Sequence, residues 1–181
     1  MSISSLPAPG AVLVESGSIR ERVAELAAVL DAHYAAAQQP LLLLCVLNGS
    51  LMFTADLARA LTIPLEVACI AVRSYGDSTH SSGTVELVAD LAPSVTGRDV
   101  LVVEDIVDSG RTVRFLREHL AAQGAASVRV VALLDKTARR AVAVDVEWTG
   151  FDIPDSFVVG YGLDYDGRWR NLAAVHVLDG V

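Results

Sequence analysis

The chain holds only two cysteines, Cys45 and Cys69, and neither belongs to a CxxC pair or has a histidine nearby in sequence. That argues against a disulfide framework or a thiolate metal site. Both residues, set in apolar strand-like runs, are expected to be buried free thiols in a reducing cytoplasm. No apolar run reaches about 18 residues, the length needed to cross a bilayer. The opening MSISSLPAPG has neither a basic n-region nor an apolar core, so no signal peptide is expected. Basic residues are scarce: 14 Lys and Arg stand against 22 Asp and Glu, a net charge of -8. Without a lysine-rich run or a basic face, a general binder of nucleic acid or membrane surfaces is disfavoured. A small anionic substrate is still compatible, because a local cluster of donors and a metal can override the global field. His33, His80, His119 and His176 show no metal-ligand spacing and no triad partner. Neither a GxxxxGK[ST] loop nor a GxGxxG after a strand occurs.

What is abundant is apolar material. At 181 residues and 52% hydrophobic, against a usual 45–50% or so, residues 1–181 are expected to form a single domain with a sizeable core. Residues 1–15 are expected as a loosely ordered or edge segment. Ser18 lies three residues before Glu21, a capping box, and Ile19, Val23, Leu26, Ala27, Leu30 and Tyr34 follow at helical spacing. The helix ends before Pro40. LLLLCVL, Leu41 to Leu47, is apolar throughout, as a strand covered on both faces requires. Leu51 to Leu61 reads as a helix and Leu65 to Val72 as a strand. RSYGDSTHSSG, Arg73 to Gly83, is small and polar, buries little, and is expected to be a mobile hairpin tip returning through Thr84 to Ala89. Val100 to Val103 is another fully apolar strand. A helix from Thr112 to Gln123 stops at Gly124, and Val128 to Leu134 is the next strand. Shorter strand-like pieces are Val142 to Trp148, Phe157 to Gly160 and Val175 to Leu178. The alternation predicts an α/β fold with a mainly parallel central sheet flanked by helices.

In such a sheet the ligand crevice lies beyond the carboxyl ends of the strands, where Glu104 to Thr112 falls. Asp108-Ser109-Gly110-Arg111-Thr112 offers two hydroxyls, a glycine that admits close backbone approach, and amides aimed from a helix N-terminus, which together make a phosphate seat. Glu104, Asp105 and Asp108 sit at the mouth of that seat, where a site for phosphate alone would have no use for them. A helix cap with two solvated charges beside it is the plainer alternative for this stretch.

The full string VLVVEDIVDSGRT, Val100 to Thr112, resembles the phosphoribosyl-diphosphate motif of the type I phosphoribosyltransferases. RSYG at Arg73, LLDKTARR at Leu133 to Arg140, and IPDSFVVGYGLDY at Ile153 to Tyr165 with Arg170 beyond are similar to the hypoxanthine-guanine branch. These blocks come in the same order and span about Leu41 to Leu172. The resemblance implies the type I fold, with a mobile hairpin lid and a small hood from the N- and C-terminal segments. It also implies purine salvage: hypoxanthine or guanine plus phosphoribosyl diphosphate would give the nucleoside monophosphate and pyrophosphate.

The same resemblance assigns roles. Glu104 and Asp105 suit the ribose diol and its Mg²⁺ shell. Asp108, Ser109, Gly110, Arg111 and Thr112 take the 5′-phosphate, and Asp108 is the catalytic base near purine N7. Lys136 donates to the 6-oxo group, Phe157 stacks on the purine, the Val158 backbone reads its edge, and Asp164 serves a second Mg²⁺. Asn48, Gly49 and Arg170 contact pyrophosphate, with Ser74 and Tyr75 in the lid. Many relatives carry lysine or arginine where this chain has Asn48, so a side-chain charge is missing there while the backbone amides remain. The many apolar residues favour a homodimer or homotetramer, and the chain is expected to act in the cytoplasm. Xanthine or a pyrimidine as substrate, or an RNA-binding pyrimidine-operon regulator on the same fold, are the alternatives. The acidic balance disfavours the regulator.

Overall fold

Uninterrupted apolar runs build the centre of the molecule. The computed structural model describes residues 8–74, 85–89 and 93–180. Within them β2 (Leu41–Leu47), β5 (Asp99–Val107) and β6 (Ser127–Asp135) lie side by side and parallel. β3 (Leu65–Ser74) extends the sheet parallel to β2, and β4 (Val85–Ala89) closes that edge antiparallel to β3. At the other edge β7 (Trp148–Asp152) runs parallel to β6, giving the order β4-β3-β2-β5-β6-β7.

Alternate residues of the central strands enter two different cores. Leu41, Leu43, Leu101, Val103, Val131 and Leu133 pack with Ile19, Val23, Leu30, Phe53 and Leu57 of α1 (Ser16–Tyr34) and α2 (Leu51–Ala60). Leu42, Leu44, Val100, Val102, Val130 and Ala132 pack on the opposite face with Val113, Leu116 and Leu120 of α3 (Arg111–Ala122). Each such leucine or valine is fully out of water and contributes about 1.5–3 kcal/mol. Coverage on both faces is why these strands carry no polar alternation.

The crossovers also fix where a ligand can sit. α2 carries the chain from β2 to β3 on one face, whereas α3 carries it from β5 to β6 on the other, in the opposite direction across the sheet. The boundary between β2 and β5 is therefore the switch point of an open α/β sheet. Pairing of β2 with β5 stops at Cys45 and Val103, while β5 stays paired with β6 as far as Val107 and Asp135. Beyond Val103 the two strands part.

A second sheet, β1 (Pro9–Val14), β9 (Val175–Leu178) and β8 (Val158–Val159), joins the two ends of the chain in antiparallel order. It is the small hood that the resemblance implied, and the N-terminal segment forms its edge.

Several sequence expectations are corrected. α1 begins at Ser16, two residues before the expected Ser18 cap, with Glu15 at the N-cap and no capping side chain. β1 ends at Val14, so one residue links strand to helix and leaves no room for a separate cap. Cys45 is buried as expected, but Cys69 is exposed. Its neighbour on the same strand, Val67, is 53% exposed as well, so among the described residues no helix covers this outer stretch of β3. The strand expected at Val142 to Trp148 starts only at Trp148. Before it, Glu147 places its carboxylate on the Val130 N–H and on Arg117, so a side chain takes the hydrogen bond that a strand backbone would need. The loop from Arg73 to Gly83 falls largely outside the described residues. Ser74 ends β3, and Tyr75 lies among the residues not described.

Candidate active site

Where β2 and β5 part, a cleft of about 570 Å³ opens, lined by Val46, Leu47 and Gly49 on one wall and Glu104 to Val113 on the other, with Arg139 and Ala141 at the rim. β5 is longer than its apolar run suggested, so Glu104 and Asp105 belong to the strand itself and not to a loop after it. Glu104 is only 4% exposed yet borders the cleft. Burial lifts its carboxyl well above the usual range, and Asp105 beside it adds repulsion. Asp105 is raised from 3.8 to about 6, chiefly by burial, although the Ile106 N–H and the Arg170 charge pull it partly back. Two adjacent acids, Glu104 buried and Asp105 half-buried, are poised for a cation or for hydroxyl donors.

The far wall is made of backbone. Gly110 has φ of 82°, a left-handed conformation that a side chain would strain, and it stands at the N-cap of α3 without any capping side chain. In the first turn of α3 the Arg111 N–H meets Ser109 Oγ at a long 3.4 Å, so this weak contact is not what holds the loop. The Ser109 carbonyl instead accepts from the Ala141 and Val142 amides, at 3.0 and 3.1 Å. That contact fixes the loop against the segment after β6. On the near wall the Leu47–Asn48 peptide is cis, and Asn48 is exposed. A Cβ added to Gly49 would lie 1.6 Å from Asp105 Oδ2, so only glycine lets this turn pass the carboxylate. The Gly49 carbonyl in turn abuts Gly162, whose own carbonyl accepts from Arg170 Nη1 at 2.6 Å. Arg170 pairs with Asp164 at 2.7 Å, and Asp164 accepts the Gly167 amide at 2.7 Å.

A third group sits at the rim. Lys136, the only lysine in the chain, is 5% exposed and donates its backbone N–H to the Val107 carbonyl at 2.9 Å. Burial lowers its ammonium, while Asp108 and Asp155 oppose that fall. Arg139, in the 3-10 turn Thr137–Arg139, reaches Asp108 at 3.4 Å and Asp155 at 3.1 Å.

The chain that carries this arrangement resembles known proteins along most of its length. Residues 13–166 match the Phosphoribosyl transferase domain model. The chain belongs to the phosphoribosyltransferase family. It is 48% identical over 172 residues to the hypoxanthine-guanine phosphoribosyltransferase of Mycobacterium avium, covering 93% of this chain and 85% of that protein. It is 44% identical over 167 residues to the Bacillus subtilis hypoxanthine-guanine phosphoribosyltransferase, covering 92% of each. Among solved structures, a hypoxanthine phosphoribosyltransferase from Staphylococcus aureus superimposes with a TM-score of 0.88 at 37% identity, over 94% of this chain and 91% of that one.

Within this phosphoribosyltransferase the cleft brings together Gly49, Glu104, Asp105, Asp108, Ser109, Gly110, Arg111 and Thr112. Lys136, Phe157, Val158, Asp164 and Arg170 do not line it. Phe157 is 44% exposed and meets Tyr165 edge-on with ring centres 5.6 Å apart, and Val158 is buried in β8. Glu104, Asp105 and Asp164 do not converge, and among the described residues no three metal-ligating side chains do. Asp164 is held back by Arg170. The oxygen-only chemistry of buried Glu104 and half-buried Asp105 nonetheless fits a hard divalent cation that takes its remaining ligands from substrate and water.

Sequence reasoning missed four residues. Arg139 and Asp155 carry the ion pairs at the rim, and Tyr161 donates to Asp56 of α2 at 2.5 Å, clamping the turn after β8 onto the helix behind the near wall. The adjacent arginines of LLDKTARR were a visible signal for Arg139. Nothing in the sequence marked Asp56.

Proposed function

We propose that this phosphoribosyltransferase moves the 5-phosphoribosyl group of phosphoribosyl diphosphate onto hypoxanthine or guanine, releasing pyrophosphate and forming IMP or GMP. The observation that carries it is one cleft that joins an acid pair, buried Glu104 and half-buried Asp105, to the amides at the start of α3 a few residues on. A phosphorylated sugar with a free diol needs both.

The amides and hydroxyls of Ser109 to Thr112 hold the 5′-phosphate. Glu104 and Asp105 accept from the 2′- and 3′-hydroxyls, and with Asp164 they are the residues that would hold Mg²⁺. When bound, Mg²⁺ offsets the charge of the pyrophosphate leaving group. The amides of Asn48 and Gly49, with Arg170, receive that group, and Ser74 and Tyr75 close over it. Purine N9 attacks C1′ as the bond to pyrophosphate breaks, and Asp108 takes the proton from N7. Lys136 donates to the 6-oxo oxygen and so selects oxopurines, Phe157 turns its face to the ring, and the Val158 backbone reads the purine edge. The names of the relatives support the purine, and the acidic balance of the chain disfavours a nucleic-acid partner. We further place the enzyme in the cytoplasm as a homodimer or homotetramer, for which the exposed Leu51, Met52 and Val67 offer apolar surface.

The test is nucleotide formation from hypoxanthine, guanine, xanthine and adenine, with and without Mg²⁺. Activity is expected on the first two only and only with the metal. Asp108→Asn should lower turnover by about 10²–10⁴-fold while leaving nucleotide affinity nearly intact. Unchanged turnover would remove Asp108 from the reaction.

A further inference from the structure

We propose that Arg139 is a positioning residue that fixes the distance between Asp108 and the segment carrying Phe157, through the ion pair it makes with Asp155. The proposal rests on the purine-transfer reading above, since it concerns the face on which that reading places the base.

Two walls of this face come from distant parts of the chain. Asp108 leads from β5 into α3, whereas Asp155 and Phe157 lie between β7 and β8. The second wall is held by core packing of Ile153 and Val158, the Phe157–Tyr165 ring contact and backbone hydrogen bonds. The Ile153 N–H donates to the Asp135 carbonyl, the Ser156 N–H to the Pro154 carbonyl, and the Phe157 carbonyl accepts from Leu178. None of these reaches Asp108. Arg139 does so from one planar group, with Nη1 on Asp108 Oδ2 at 3.4 Å and Nε on Asp155 Oδ1 at 3.1 Å.

Two features make the bridge specific to arginine. Its Nη1 and Nε are separate donors on one rigid fork, so two carboxylates are held at a set spacing; a lysine ammonium is a single point and lacks that geometry. The backbone of Arg139 is itself anchored, its N–H on the Lys136 carbonyl at 3.0 Å, and Lys136 in turn on Val107. Arg139 therefore refers both carboxylates to β5 and β6. Arg139 is 54% exposed on its side chain, so each pair has surface strength. Together they predict an effect of about three- to ten-fold on purine recognition, not a loss of activity.

The experiment compares Arg139→Ala, Arg139→Lys, Asp155→Asn and the double variant Arg139→Ala/Asp155→Asn with wild type. KM is measured for hypoxanthine and for phosphoribosyl diphosphate. Arg139→Ala should raise the purine KM about three- to ten-fold and leave that for phosphoribosyl diphosphate within two-fold. Asp155→Asn should act in the same direction but less. The double variant should match Arg139→Ala, because the two residues act as one strut, and Arg139→Lys should restore only part of the loss. Equal effects on both substrates, or multiplying effects in the double variant, overturn the proposal. A second measurement needs no turnover: hydrogen exchange of residues 152–158 should quicken several-fold in Arg139→Ala and Asp155→Asn while α1 is unchanged. Unaltered exchange there refutes the strut whatever the enzyme's activity. An inactive wild type with faster exchange in the variants would instead count against the purine-transfer reading alone.

Discussion

Asp105 offers the most direct test of how charge is handled in the cleft. Replacing it with asparagine keeps the shape and an oxygen that can accept from the Ile106 N–H, at 2.8 Å in the wild-type protein, but removes the charge. The folded-state value is raised from 3.8 to about 6, so the folded protein holds this proton more tightly than the unfolded chain. The associated stability is complete below the unfolded value and is lost as pH rises through about 6. The full difference corresponds to about 3 kcal/mol. Asp105 is partly exposed, so roughly half of that is expected after solvent screening. In metal-free buffer with a chelator, wild type and Asp105→Asn should therefore unfold at similar temperatures near pH 4. By pH 7–8 the variant should be the more stable by about 1.5 kcal/mol, or roughly 3–6 °C for a chain of this size. Glu104 titrates in both proteins, so the difference between them carries Asp105 together with the repulsion it exerts on its neighbour. Parallel curves across this range would show that burial does not penalise the Asp105 charge, and the account of the acid pair would fail with it.

Two further outcomes follow from the geometry of the near wall. Gly49→Ala would drive a methyl group to 1.6 Å from Asp105 Oδ2, so the turn must move. Affinity for phosphoribosyl diphosphate, measured by calorimetry, should fall at least ten-fold while the thermal midpoint changes by only a few degrees. Tyr161→Phe removes the donor that Asp56 accepts and that, with burial, keeps the phenol protonated well above its ordinary range. Urea unfolding should register a loss of about 1–3 kcal/mol, since Asp56 keeps Arg59 but loses a half-buried partner.

Much of this was readable from pattern. The all-apolar runs at Leu41, Val100 and Val128 located the three central strands because a strand covered on both faces tolerates no polar residue. The Asp108 to Thr112 string marked the loop that lines the cleft ahead of α3, because a glycine beside a helix start breaks the apolar pattern there. What escaped depended on tertiary choices. The start of α1 was misplaced because a one-residue link to β1 overrode the local Ser18 capping signal. The run Val142 to Trp148 is β-prone, yet Glu147 supplies the hydrogen bond from outside the ladder and delays the strand. Cys69 looks as apolar in context as Cys45, and it is exposed because no helix among the described residues covers outer β3. Arg139 and Asp155 are 16 residues apart in sequence and meet only because β7 is laid beside β6.

The strand geometry accounts for the unusual placement of the acids. In a sheet covered on both faces the interior admits no ions, so charge can enter only where neighbouring strands separate. β2 and β5 separate after Val103 because their crossovers leave in opposite directions, and Glu104 is the next residue. β6 meanwhile continues alongside, keeping Glu104 in register with Ala132 and holding the strand straight as it leaves the apolar run. The carboxylates are thus rigid and dry on the β6 side and open on the β2 side. A loop could present the same acids, but it would hydrate them and let them relax toward solvent. A strand holds them at an energetic cost that a bound cation or diol relieves. On the proposed function this gives selectivity: a ligand lacking donors or positive charge at this point gains nothing from the two acids.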